Sequence, residues 1–127
     1  MATKKVKYTI EFPLKCPAHI LYEFVGTATG LNEWFADKVE QQDKTFYFFW
    51  GSEPETAMLV EKKEDTYVRF RWSTMSKEEY FEFRIDRNDV TNGTVLLVTD
   101  FADANEVKDQ QQLWDAQLHE LKHRLGA

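Results

Sequence analysis

The sequence predicts an α+β domain in which a curved antiparallel sheet of about seven strands wraps around one long C-terminal helix, with two short helices after the first strand. Three observations carry this prediction. Residues 5–12 alternate polar and apolar side chains, the period of a strand with one buried face. Between about residues 37 and 103, short runs rich in Phe, Tyr, Trp and Val are separated by polar or Gly-containing breaks, the pattern of an antiparallel sheet. Residues 106–125 then space Val107, Trp114, Leu118, Leu121 and Leu125 by 7, 4, 3 and 4, which is one stripe of an amphipathic helix.

In the first strand Val6, Tyr8, Ile10 and Phe12 share one side, and Lys5, Lys7, Thr9 and Glu11 the other. Pro13 and Pro17 bracket the next three residues. Pro17 suits the start of a helix, where its missing N–H is not needed, and Ile20, Leu21, Phe24 and Val25 follow at helical spacing. Gly26 is expected to end that helix and Gly30 to break the pattern after it, with Leu31, Trp34 and Phe35 forming the apolar side of a second short helix. Strands are expected at 36–40, 45–50, 56–62, 66–73, 79–87 and 93–101, with turns at 42–43, 51–54, 63–65, 74–77 and 88–92. Connections this short join neighbouring strands, so a meander is the economical topology and the first strand pairs with the last. The long helix carries acidic residues near its start and Lys122, His123 and Arg124 in its last turn, as the helix dipole prefers, and Gly126 is placed to cap it. Its stripe has the concave face of the sheet to pack against.

Composition bounds the function. A chain of 127 residues that is 43% hydrophobic suffices for one core, so residues 1–127 are read as a single domain. Cys16 is the only cysteine, which excludes an intramolecular disulfide and a cysteine-based zinc site. The N-terminus shows no hydrophobic region of a secretion signal, so a cytoplasmic location is expected. The longest apolar run covers 46–50, far short of the roughly 20 residues that span a bilayer. A net charge of −6 disfavours a phosphate backbone as partner, and no nucleic acid is expected.

One literal motif stands out. His119-Glu120-Leu121-Lys122-His123 fits the H-E-x-x-H helix signature of zinc proteases, in which both histidines bind the metal and the glutamate is the base. A third ligand belongs downstream, yet only residues 124–127 follow; Leu121 also sits on the apolar stripe and turns both histidines to a flank. A solvated helix end is the better reading. Cys16 precedes a helix but has no His or acid at a recognisable spacing, so an idle cysteine is expected. Glycines are too scattered for a phosphate loop, and Glu53/Glu55 and Glu78/Glu79 read as solvated pairs. No catalytic residue, metal or cofactor is assigned.

The aromatic content is where function is expected to lie. Ten Phe, five Tyr and four Trp make 15% of the chain, more than an ordinary core calls for. In the central strands Val68, Phe70, Trp72, Phe81, Phe83 and Ile85 share one parity, while Tyr67, Arg69, Arg71, Tyr80, Glu82 and Arg84 share the other, a charged outward face. Phe46, Phe48 and Trp50 join the inner set. Tyr47, Phe49, Tyr67 and Tyr80 fall on the outer one, where packing inside one domain does not explain them and an interface is the alternative. Trp34, Trp50, Trp72 and Trp114 come from different elements toward one space, accompanied by Gln110 and Gln117. Core packing explains any one of these rings; their convergence with polar helix residues fits a binding cavity, and composition alone leaves filled and hollow interiors both open.

The segment Phe12-Pro-Leu-Lys-Cys-Pro-Ala-His-Ile-Leu-Tyr-Glu-Phe-Val, then Gly30-Leu-Asn-Glu-Trp-Phe-Ala36, resembles the opening of the START-like superfamily, the helix-grip fold of birch-pollen-allergen-like proteins. The likeness is to its branch related to activators of the heat-shock chaperone ATPase and to small bacterial START-like proteins. Trp114-Asp-Ala-Gln-Leu-His-Glu-Leu-Lys-His-Arg-Leu125 is similar to that branch's last helix. The resemblance implies a cavity between the long helix and the sheet for a lipid, sterol or polyketide-like molecule. Carried over by position, Trp114, Gln117, Leu118 and Leu121 on the helix and Trp34 and Phe35 after Gly30 would bind it, with Phe48, Trp50, Phe70, Trp72, Phe81 and Phe83 on the sheet as the facing wall. Binding or shielding a small hydrophobic ligand is the leading expectation; a protein-interaction module, either a homodimer or a chaperone accessory, and a cyclase- or hydrolase-type enzyme are the alternatives.

Overall fold

The computed structural model describes residues 5–88, 90 and 93–126. Its order is β1 (Lys5–Leu14), α1 (Ala18–Gly26), α2 (Ala28–Trp34), β2 (Lys38–Gln42), β3 (Thr45–Phe49), β4 (Pro54–Lys63), β5 (Tyr67–Trp72), β6 (Phe81–Asn88), β7 (Gly93–Asp103) and α3 (Val107–Leu125). All seven strands form one antiparallel sheet in the order β1-β7-β6-β5-β4-β3-β2. This is the expected helix-grip arrangement, with β1 closing onto β7 in unbroken register from Lys5 opposite Asp103 to Leu14 opposite Thr94. The turn expected at 88–92 falls mostly outside the described residues. Asp43 and Asp65, in the tight connections after β2 and β4, take left-handed φ values of 55° and 60°, a conformation Asp tolerates better than most residues. Among the described residues no helix is long and apolar enough to cross a membrane.

Gly30 departs from expectation. It lies inside α2 and does not interrupt it. The reason is a close crossing: a Cβ at Gly30 would stand 1.8 Å from the carbonyl oxygen of Glu23 and 2.5 Å from the Cα of Phe24. The glycine lets the start of α2 lie against the end of α1. Thr27 caps the helix, its Oγ1 accepting the Gly30 N–H at 3.0 Å. The indole N–H of Trp34 donates to the Phe24 carbonyl at 2.8 Å and locks the same pair of helices.

The inner face of the sheet is covered by three helices and not by α3 alone. α3 packs on β1, β7 and α2, α1 on β5 and β6, and α2 on β2. Gly126, at φ 69°, ends α3 as expected, its N–H reaching the His123 carbonyl at 3.2 Å. His119 and His123 are exposed near that end; the His119 ring meets the edge of Phe12 at 5.3 Å and its Nδ1 lies 2.8 Å from the Asp115 carbonyl.

Three of the four outer aromatic residues, Phe49, Tyr67 and Tyr80, find partners within the domain, which corrects for them the expectation that packing could not explain them. The Arg69 guanidinium lies 4.2 Å from the Tyr80 ring centre, Arg84 4.5 Å from Tyr67, and the Lys38 ammonium 5.4 Å from Phe49. Tyr80 also meets Phe101 edge-on at 5.2 Å, and the Tyr67 hydroxyl donates to Glu61. Glu82 ties the ladder together: one oxygen accepts from Arg69 at 2.8 and 3.0 Å and the other from Arg84 at 3.4 Å. Tyr47, on β3 and two strands away from β5, is half-buried.

Candidate functional site

Phe35 follows α2 and stands at the centre of the interior, 3% exposed. Its ring meets Phe48, Trp50 and Trp114 at 5.2, 5.4 and 5.7 Å and Phe81 and Phe83 at 6.1 and 6.0 Å. Rings therefore fill the deep space between α3 and the sheet. One of the spaces that remain open is a groove of about 550 Å³ at one end, between the N-terminal half of α3 and the ends of β3, β4 and β5. Phe35, Trp50, Trp72 and Trp114 supply its apolar walls, and Glu55, Asp100, Gln110 and Gln117 its polar groups.

The predicted ligand-binding residues thus divide. Phe35, Trp50, Trp72, Trp114 and Gln117 meet in the groove. Trp34, Phe48, Phe70, Phe81, Phe83, Leu118 and Leu121 are buried behind it and hold its walls. Phe70 stacks on Phe81 at 5.1 Å and Trp72 on Phe81 at 4.9 Å, so the sheet wall is a continuous ring surface across β5 and β6.

Hydrogen bonds fix the mouth. The Phe35 carbonyl accepts the Trp50 indole N–H at 2.9 Å and a Gln117 side-chain N–H at 3.0 Å, joining α2, β3 and α3 at one atom. One of the two Gln117 amide hydrogens is therefore used within the protein. Trp50 remains 40% exposed and Leu113, on the neighbouring turn of α3, 61% exposed, so part of the rim of the groove is apolar and open.

Asp100 is the residue the sequence reading missed. It sits on the inward parity of β7 with Leu96 and Val98, opposite Tyr8 of β1, and is only 8% exposed. One carboxyl oxygen accepts the Trp114 indole N–H at 3.0 Å and lies 3.5 Å from the Tyr8 hydroxyl, while the other accepts the Phe101 backbone N–H at 2.8 Å. Burial raises its pKa above the ordinary carboxylate value, against the opposing pull of those donors and of Lys5. Burial, and then repulsion from Asp100, also holds the Tyr8 hydroxyl protonated well beyond its usual range. The available signal was an acid on the apolar parity of a strand. Glu55, on the parity of buried Ala57 and at the rim, gave a weaker one.

Cys16 is buried with its Sγ 3.9 Å from the Thr94 hydroxyl, and burial pushes its thiol pKa up, away from the reactive thiolate.

Comparison with known proteins agrees with this architecture. A family model described as a START-like superfamily domain matches residues 1–127. The solution NMR structure of BfR322 from Bacteroides fragilis shares 38% identity over 96% of this chain and 92% of that one, with a TM-score of 0.68. The Aha1 dimer from Colwellia psychrerythraea is similar in fold at 15% identity and a TM-score of 0.76, over 92% of this chain and 93% of that one. The protein MLL2253 from Mesorhizobium loti superposes with a TM-score of 0.77 at 12% identity, covering 95% of this chain and 97% of that one. No curated protein matches the sequence. With the family model spanning its whole length and the helix-grip sheet and helices in place, the chain belongs to the START-like superfamily.

Proposed function

We propose that the chain acts as a single ligand-binding domain and that the groove, not a deep central cavity, takes up a small apolar molecule bearing at least one ring. The observation that carries this is the convergence of Phe35, Trp50, Trp72 and Trp114 on one open space with a few polar groups among them. The size of the space favours a ring-bearing fragment over a whole lipid, because the volume that a long chain would need is occupied by Phe35, Phe81 and Phe83. Burying roughly 200 Å² of ligand surface at roughly 25 cal/mol per Å² supplies about 5 kcal/mol before the cost of association.

The reading makes a direct demand. 4-tert-Butylphenol is expected to bind and to shift the indole N–H signals of Trp50 and Trp114 in a proton–nitrogen correlation spectrum. Trp72→Ala is expected to weaken that binding about tenfold while the fold is kept. Indole signals that stay in place up to millimolar probe, together with a native mass spectrum of the fresh protein showing only the bare chain, would overturn the reading.

A further inference from the structure

The groove's polar chemistry is one-sided. Its charged lining residues are Glu55 and Asp100, and no Lys, Arg or His lines it among the described residues. The cation that acts on Asp100, Lys5, stands outside the groove with its ammonium 4.0 Å from Glu79. Part of the donor capacity is already used within the protein. The indole N–H of Trp50 is directed at the Phe35 carbonyl, that of Trp114 at Asp100, and one Gln117 hydrogen at the same Phe35 carbonyl. Two of the three tryptophans therefore turn their N–H groups to the protein and leave ring surface to the ligand. A carboxylate carries about four acceptor positions, and Asp100 engages one at short range on each oxygen, so acceptor capacity remains on it and on Glu55.

From this juxtaposition we propose that the groove selects a ligand whose apolar ring carries a positive charge, as a quaternary or protonated amine, seated among Trp50, Trp72 and Trp114 and facing Glu55 and Asp100. The inference rests on the reading of the groove as a ligand site and adds the sign of the ligand's charge. A cation gains from the electron-rich ring faces and from both carboxylates, and its arrival offsets the cost of holding Asp100 ionised in a buried position. An anion of the same shape meets two like charges and, among the described lining residues, no cationic side chain, only the neutral donors of Gln110, Gln117 and Trp72. A neutral molecule gains the apolar contacts alone.

Three phenols of one shape separate the cases: 4-tert-butylphenol, 4-(trimethylammonio)phenol and 4-hydroxybenzenesulfonate, titrated at pH 7 in 0.15 M NaCl. The salt suppresses loose attraction of the cation to a chain of net charge −6. The cation is expected to bind at least tenfold more tightly than the neutral probe and the sulfonate least tightly, with shifts at the Trp50 and Trp114 indoles. Glu55→Gln, a change at an exposed rim position, is expected to weaken the cation three- to tenfold and the neutral probe by clearly less, so that the ratio of the two affinities falls. Asp100→Asn, checked for an intact fold by its spectrum, should act in the same direction.

Equal or tighter binding of the neutral probe overturns the charge preference and leaves the groove a ligand site. Binding of none of the three overturns both readings. A cation preference unaffected by both carboxylate substitutions, or shifts away from the groove, overturns the assignment to these residues.

Discussion

Replacing Phe35 by Ala tests whether the interior beneath the sheet is solid. The ring is 3% exposed and meets Trp34, Phe48, Trp50, Phe81, Phe83 and Trp114 at centroid separations of 5.2 to 6.1 Å. Truncating a core Phe to Ala costs about 3–5 kcal/mol, and the cost depends on how far the surroundings collapse into the gap. Here the neighbours are rigid rings on α2, β3, β6 and α3, each held by contacts of its own. Lost ring-pair interactions of about 0.5–1.5 kcal/mol each add to the area term. The expected loss is therefore in the upper half of the range, about 4–5 kcal/mol, against about 1–2 kcal/mol for Phe35→Leu, which keeps most of the volume. Urea unfolding followed by far-ultraviolet circular dichroism reads this without depending on the tryptophans that surround the site. With a slope of about 2 kcal/mol per molar urea, Phe35→Ala lowers the midpoint by about 2 M. A loss below about 1.5 kcal/mol with an unchanged slope would mean that the rings do not pack around Phe35 as described, and the case for a filled interior would fail.

Two further outcomes follow from the geometry. Gly30→Ala places a methyl group 1.8 Å from the Glu23 carbonyl oxygen, so α1 and α2 must separate; the expected loss is on the order of 4 kcal/mol or more, and a variant within 1 kcal/mol of the parent would show that the crossing is looser than the structure has it. Asp100 has a folded-state pKa above its unfolded value, so the folded chain takes up its proton first as pH falls. Stability of the parent relative to Asp100→Asn should accordingly grow as pH drops from 7 through the raised pKa and level off below the ordinary value of 3.8, and a difference that is flat or shrinks in chemical denaturation across pH 7 to 4 would reverse the sign of the shift.

Much of this architecture was legible in the chain. The alternation in residues 5–12 predicted β1, and the helix stripe ending at Gly126 predicted α3, because side-chain period reports directly on which face is buried. Short polar breaks predicted the meander and, with it, the closure of β1 on β7. The membership of the groove was also partly within reach: the ring residues Phe35, Trp50, Trp72 and Trp114, and with them Gln117, were expected to meet in one space and do so.

What the tertiary structure alone decided was how space is divided. Parity places Phe48, Trp50, Phe81 and Phe83 on one face of the sheet but contains no distances, so it cannot say that Phe35 enters among them and leaves a groove at the end of the space. The same holds for Gly30, whose role comes from a helix-to-helix approach that no local pattern records, and for Tyr67 and Tyr80, which depend on arginines from a neighbouring strand. Asp100 shows the limit most clearly. One acid on an apolar parity is visible in the sequence, but its meaning depends on Tyr8 from the other end of the chain and Trp114 from the last helix, and only folding brings the three together. Local periodicity selects faces; long-range packing decides which part of a face is wall and which is opening.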